Sequence, residues 1–458
     1  MQSSADQLNQ AWQIHQRGGV TQAEQVYRSV LQREPNNANA WCFWGIAMHD
    51  LRRYDEAVAA YENAIRIQCV FPIAYNNLGN SLRFLGRVAE ADKCFETALA
   101  QAPGYFNAVR NRGTLHAWTG RIDLAFQYYY EAMQINPQDA ELHRNLGVIH
   151  LLQGNFQEGW REYRHRWLCK EAIAQPYTQP KWSGQPLEGK TVLLYAEQGL
   201  GDTIHFIRFA QAVKDLGART IVHTQPALLA LLQCCKGIDV LIPTTLPIQT
   251  PFDYHCSLID VADVLNINSE SVPAKIPYLH PSDRMIEYWQ SAMDRTLPKS
   301  KLRIGINWQG NPDHQADMFR SFPLNALKPL ALLDDAVLLS LQKGHGVEQL
   351  KHWQEKKIIY CLPDDVDQTS GAFMDTAAII KSLDYVVTSD TALAHLAGAL
   401  GVKTCLVLGF TPDWRWLLSR DDCPWYPSLK LFRQKRIGDW GPVINEVCQF
   451  LAARMATI

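Results

Sequence analysis

The stretch NNLGNSLRFLGRVAEADKCFETALAQAP, residues 76–103, is one unit of a pattern that returns every 34 residues or so. Its glycine, Gly79, has counterparts at Gly45, Gly113 and Gly147. Its alanine, Ala91, is matched by Ala23, Ala57 and Ala125. Its aromatic, Phe95, is matched by Tyr27, Tyr61, Tyr129 and Tyr163. Pro103 is matched by Pro35 and Pro137, with Cys69 standing where the fourth proline would fall. Small and aromatic residues held in one register, with a closing proline, describe a repeated pair of helices. One pair cannot bury its own apolar face, so neighbouring pairs must stack into a solenoid with a concave side.

Gly, then Ala, then an aromatic, then Pro at this spacing resembles the tetratricopeptide repeat. About five repeats fill residues 1–170. Asn77, Asn111 and Asn145 each stand two residues before a repeat glycine, so stacking lays them one above another. Side-chain amides both donate to and accept from a peptide backbone without reading its sequence, which makes this ladder a candidate peptide groove. Phe43 interrupts it at the second repeat.

Composition narrows the function classes. The 458 residues carry 44 Lys and Arg against 46 Asp and Glu, a net charge of -2. Neither the repeats nor the remainder has a marked basic excess, so no face is available to neutralise a run of phosphates, and no nucleic acid is expected. The cluster Arg433-Gln434-Lys435-Arg436 reads as solvated surface. No signal-peptide pattern opens the chain and no apolar run is long enough to span a membrane, so a cytoplasmic protein without a transmembrane segment is expected. Eleven scattered cysteines without a C-x-x-C pair suit reduced thiols rather than a disulfide frame or a zinc site.

Helical periodicity stops near Trp167, and residues 171–190 read as a linker that wraps onto the next domain. From Thr191 the apolar runs TVLLYAE, TIVHT, IDVLIP and YHCSLID alternate with amphipathic stretches. After a helical interruption, MIEYWQSAMDRTLPKS, the alternation resumes with LRIGINW, AVLLSLQ, KIIYCLP, YVVTSD and KTCLVLGF. Strand–helix alternation implies parallel sheets. The break divides them into two doubly wound lobes, 191–298 and 299–458. The predicted fold class is thus an α solenoid followed by α/β. In such sheets ligands sit beyond the carboxyl ends of strands, so the loops there are the candidates for chemistry.

Glu197-Gln198-Gly199-Leu200-Gly201-Asp202 follows the first strand. Its glycines permit a sharp turn and close approach, with Gly201 beside a ligand. Asp202 falls at the N-cap of a helix beginning at Thr203. It has two readings: a helix cap, or a carboxylate that takes a proton from an attacking hydroxyl. His205, one turn on, is a second candidate for that role or for orienting the acceptor. Ser389-Asp390-Thr391-Ala392 ends a β-branched strand and opens a helix of small residues, whose free N–H groups suit an anion. His395 lies four residues along the same face as Thr391. Lys343 in Leu341-Gln342-Lys343-Gly344 offers a charge to a pyrophosphate or is a surface lysine beside a loop. Asn307 and Gln309 sit in a loop suited to backbone contacts. The D-x-D at Asp365-Val366-Asp367 reads as an acidic loop. No P-loop, Ser-His-Asp elbow or metal-spaced cluster appears.

GLGD opening the first sheet, LQKG within the second and SDTALAHLAGALG later resemble the heptosyltransferase-like sugar transferases. With the repeats in front, the chain is also similar to bacterial relatives of protein O-GlcNAc transferase. That resemblance implies the twin-Rossmann (GT-B) architecture and a metal-independent, inverting glycosyltransferase without a cofactor. It makes Asp202 the general base. Lys343, the Asp390-Thr391-Ala392 turn and His395 would hold the diphosphate of a nucleotide-sugar donor. The acceptor would be a hydroxyl on a protein or peptide drawn in by the repeats. The alternatives are an inactive tetratricopeptide adaptor and an enzyme with a glycan or lipid-linked acceptor.

Overall fold

The computed structural model describes residues 3–170, 172–173, 175–273, 275–300, 302–355 and 357–457. Residue 171, where the expected linker opens, and the outer bounds 1 and 458 lie outside the described residues. Contacts divide the chain into two compact units, Met1–Leu146 and Gly147–Ile458.

The first unit is helical. It is built from α1 (Ser4–Gln16), α2 (Val20–Arg33), α3 (Ala38–Asp50), α4 (Tyr54–Ile67), α5 (Pro72–Phe84), α6 (Val88–Gln101), α7 (Phe106–Trp118) and α8 (Ile122–Ile135), with the start of α9 (Ala140–Leu152). The repeated residues explain the packing. Ala23, Ala57, Ala91 and Ala125 are fully buried, and Tyr27, Tyr61, Phe95 and Tyr129 lie with them in the core. A Cβ on Gly45, Gly79 or Gly113 would stand 2.6, 2.7 and 2.7 Å from the ring sixteen residues later, that of Tyr61, Phe95 and Tyr129 respectively. The glycine is therefore the recess that admits the aromatic of the partner helix. This is why the two residue types recur together.

The second unit begins with a closer approach, since a Cβ on Gly147 would lie 2.5 Å from the Tyr163 backbone nitrogen. Helix α10 (Phe156–Tyr163) and the 3-10 turn Arg164–Leu168 are fastened to loops of the first sheet and to one of its helices. Trp160 donates to the Ile267 carbonyl at 3.0 Å, and Arg166 pairs with Glu197 at 2.7 Å and Asp260 at 2.5 Å. Residues 180–182 run beside this sheet. Trp182 is buried, and its backbone N–H donates to the His255 carbonyl at 2.9 Å.

Two all-parallel sheets follow. The first has the order β3-β2-β1-β4 and comprises β1 (Thr191–Tyr195), β2 (Arg219–Thr224), β3 (Val240–Pro243) and β4 (Tyr254–Ser257). Its helices are α11 (Leu200–Phe206), α12 (Arg208–Asp215), α13 (Leu229–Leu232) and α14 (Leu258–Val264), and α15 (Asp283–Thr296) forms the helical interruption. The second has the order β10-β9-β8-β5-β6-β7 and comprises β5 (Leu302–Asn307), β6 (Ala336–Ser340), β7 (Ile359–Cys361), β8 (Tyr385–Ser389), β9 (Thr404–Leu408) and β10 (Leu429–Arg433). Its helices are α16 (Asp317–Arg320), α17 (Met374–Lys381), α18 (Ala392–Ala399) and α19 (Gly441–Met455).

Ile304, Ile306, Leu338, Val387, Cys405 and Val407 from these strands share a core with Ile444, Val447 and Leu451 of α19. Strands covered on both faces read as near-continuous apolar runs, which made them legible. Strand β10 escaped that reading because it is an edge strand, LKLFR, carrying Lys430 and Arg433.

Candidate functional site

Helix α11, at the carboxyl end of β1, packs against α18, at the carboxyl end of β8. A Cβ on Gly201 would sit 3.1 Å from His395 Cδ2 and 3.3 Å from Ala392 Cα, so a side chain there would press on α18. The two loops singled out from sequence therefore adjoin one another.

Asp202 corrects one expectation. Helix α11 starts at Leu200, with Gly199 as N-cap, so Asp202 is the third helical residue rather than the cap. Its Oδ2 accepts the Gly199 N–H at 3.0 Å, as an acidic residue there does in a capping box. Its Oδ1 accepts from Arg415 Nη2 at 2.5 Å. The Asp202 side chain remains 24% exposed while that of Arg415 is 6% exposed. Burial pushes the Asp202 carboxyl above its ordinary value, opposed by the Arg415 charge and assisted by Asp413. Arg415 also donates from Nη1 to Asp413 at 2.8 Å, and its guanidinium lies 4.5 Å from the Trp414 ring and 5.2 Å from that of Phe206.

His205 and His395 are both buried. Their Nδ1 atoms meet the Tyr426 hydroxyl at 2.8 and 3.1 Å. Burial holds both imidazoles well below the usual histidine range, with neighbouring arginines adding to the effect, so both are neutral. His205 thus lies in an interior network. In that network Arg208 donates to the Trp425 carbonyl at 2.6 Å and to the Tyr278 hydroxyl at 3.1 Å. Gly398 of α18 is needed for packing too, because its Cβ would stand 2.5 Å from the Tyr426 ring.

Thr391 is the N-cap of α18, and Ala392 its first residue. The Thr391 hydroxyl donates to Asn307 Oδ1 at 3.2 Å, and Thr388 donates to the same oxygen at 3.1 Å. Asn307 in turn donates to Gln342 Oε1 at 2.8 Å. Gln342 also accepts the N–H groups of Trp308 and Gln309 and donates to the carbonyls of Gln309 and His345. The Gln309 side chain accepts from Gln349 at 3.0 Å. Gln342, which sequence reasoning passed over for its neighbour, thus clamps the loops after β5 and β6.

Asp390 is buried, and its carboxyl is pushed up to about 6, chiefly by burial and then by the charge of Asp413. Lys343 is engaged within its own lobe of the second sheet. Its ammonium bonds Asp367 at 2.5 Å and the Val366 carbonyl at 3.1 Å, so it fastens the loop after β7. Asp367 also accepts from the Thr376 N–H and hydroxyl, which makes the acidic loop structural.

In the first unit, Asn111 is buried and donates to Asn76 at 2.9 Å, and Asn76 donates to Asn77 at 3.0 Å. Asn145 donates to Thr114 at 3.4 Å. The ladder amides are half-buried or buried, and Asn76 links Asn111 to Asn77.

Arg415, Asp413 and Tyr426 were missed by sequence reasoning, although TPDWRW follows an apolar strand at its carboxyl end, where ligands of such sheets gather. The loop carrying Arg415 is braced by Arg433, whose guanidinium donates to the carbonyls of Trp416, Leu417 and Arg420 at 2.6, 2.9 and 2.9 Å. Burial pushes the Arg433 side chain down to about 10.

Residues 16–68 and 76–140 match the tetratricopeptide repeat family model. The helical array is a tetratricopeptide solenoid. Protein FlbA of Caulobacter vibrioides is 25% identical over 319 residues, covering 65% of this chain and 52% of FlbA. The chain thus spans about half the length of that curated relative, and a match this long extends beyond the tetratricopeptide repeats into the sheets. Tetratricopeptide repeat protein 37 of Xenopus laevis is 43% identical over 53 residues, 12% of this chain and 3% of that protein. Among solved structures, the type IV pilus biogenesis factor PilW is similar at 24% identity and a TM-score of 0.35, over 38% of this chain and 80% of that one. A thermophilic TPR protein of Thermus thermophilus is similar at 17% identity and a TM-score of 0.34, over 36% and 91% respectively. Among the described residues no helix is long and apolar enough to cross a membrane.

Proposed function

We propose that the sheets form the two lobes of a GT-B glycosyltransferase and that the tetratricopeptide solenoid recruits its protein acceptor. The observation that carries this reading is the meeting, beyond strands of the two sheets, of Asp202 with Arg415 and of its neighbour Gly201 with the Thr391–His395 turn.

In the reaction the acceptor hydroxyl oxygen attacks the anomeric carbon from the face opposite the leaving diphosphate. The new C–O bond forms as the sugar–phosphate bond breaks, and configuration inverts. The hydroxyl proton passes to Asp202, and the electron pair of the broken bond leaves with the diphosphate. The N–H groups at the start of α18, the Thr391 hydroxyl and neutral His395 are suited to meet that growing negative charge. Sugar transfer to a protein from one of a panel of nucleotide-diphosphate sugars, lost in Asp202→Asn, is the expected result. Binding without transfer by the intact chain would refute the reading.

The second reading is a tetratricopeptide adaptor with an inactive platform, and it rests on the family match being confined to the repeats. A platform has no reason to bind nucleotide diphosphates, so calorimetry with them separates the two.

A further inference from the structure

We propose that Arg415 is the seat of the donor's diphosphate and that Asp202 occupies this seat until the donor arrives. The proposal rests on the transferase reading and adds to it an arginine anchor and an order of events.

Four observations converge on Arg415. Its side chain is buried yet bridges the sheets, donating from Nη2 to Asp202 and from Nη1 to Asp413. Its Nε is buried without a partner, as are the hydroxyls of Ser389, at the end of β8, and Thr411, just beyond β9. Unpaired donors at sheet ends are costly unless a ligand or water meets them. The N-terminus of α18 lies against Gly201, next to Asp202. Lys343, the other candidate cation, is engaged by Asp367.

A planar guanidinium presents donors in a fork that fits carboxylate and phosphate oxygens alike. Asp202 is therefore an internal stand-in for a phosphate at this arginine. When a phosphate oxygen takes its place, the charge on Arg415 stays compensated and no bare buried cation is left. Asp202 keeps its Oδ2 on the Gly199 N–H, while Oδ1 is released. A carboxylate parted from a cation holds a proton more readily. Donor binding thereby unmasks the base that the acceptor requires.

Calorimetric titration of the full chain with inorganic pyrophosphate tests this directly. Asp202→Asn removes the internal competitor and should bind pyrophosphate about tenfold tighter than the unaltered chain, a typical coupling between linked sites. Arg415→Gln should bind about tenfold more weakly, Arg415→Lys should recover part of the loss, and the double variant should bind no tighter than Arg415→Gln. Asp202→Asn affinity equal to or below that of the unaltered chain overturns the proposal even if the arginine variants fail to fold. Full affinity in Arg415→Gln overturns it as well. Sugar transfer by the unaltered chain with pyrophosphate affinity blind to residue 202 would sink the exchange alone. Exchange without transfer from any nucleotide sugar would sink the transferase reading alone.

Discussion

The hydroxyl of Tyr426 sits 2.8 Å from Nδ1 of His205, 221 residues away in the chain. The same oxygen serves His395 at 3.1 Å. A hydroxyl has one proton, so at least one of these neutral imidazoles must donate its own N–H to it. The arrangement ties α11 to α18 through a buried polar hub, where every lost partner is expensive.

Tyr426→Phe removes that hub and leaves two buried ring nitrogens unpaired. The expected loss is about 1–3 kcal/mol for each such group, read as a lower denaturant midpoint for the second unit. A midpoint equal to that of the unaltered chain would show that the hub contributes nothing.

Asp202→Asn keeps the shape of the side chain and its tie to Gly199 but removes the carboxylate that the proposed transfer uses as its base. Transfer should fall by about a hundredfold or more, with the circular dichroism spectrum preserved. Substantial residual turnover would remove Asp202 from proton transfer.

Lys343→Ala breaks an ion pair whose lysine is 48% exposed. Nucleotide-diphosphate affinity should change by less than about threefold, since exposed pairs contribute little. A large affinity loss would restore this lysine to the donor site, against the geometry of Asp367.

Asp390 gives a pH dependence of unusual sign. Its carboxyl titrates near about 6 in the folded chain, above the ordinary value of about 3.9 for an unfolded one. Between these values the folded chain binds more protons, so this group's contribution to stability declines as pH rises and is lowest above about 6. Asp390→Asn should therefore be more stable than the unaltered chain at pH 8, by on the order of 1–3 kcal/mol, with the gap closing toward pH 4. Melting temperatures at the two pH values decide it, and an equal gap at both would discount the carboxyl's titration.

Gly79→Ala places a methyl group 2.7 Å from the Phe95 ring. Overpacking of this kind typically costs about 1–3 kcal/mol. A second substitution, Phe95→Leu, should recover part of the loss, and strictly additive effects would show that the two residues do not press on one another.

The solenoid was legible because the Gly–aromatic recess repeats in register, so its physical cause is written several times over. The strands were legible where both faces are buried, and β10 was not, because Lys430 and Arg433 interrupt its apolar run. The loops of Asp202 and Thr391 were found by their place after strands. Their contacts were not, since Arg415 pairs with Asp202 across 213 residues and no local spacing encodes that. The start of α11 was misplaced by three residues because Gly199 takes an extended conformation that lets Asp202 reach back to it. Lys343 was visible as a lysine after a strand, but Asp367, which claims it, is visible only once β6 and β7 lie side by side.

Arg433 holds three carbonyls of the stretch that follows Arg415. Such a brace makes that stretch an anvil rather than a flap: an incoming molecule meets a guanidinium already aimed and finds nothing there to fold over it. Whatever yielding accompanies capture must then fall to the Gly199–Asp202 side, whose glycines bend cheaply. The division of labour between a stiff wall and a pliant one is thus decided by an edge-strand arginine that grips only the stiff one.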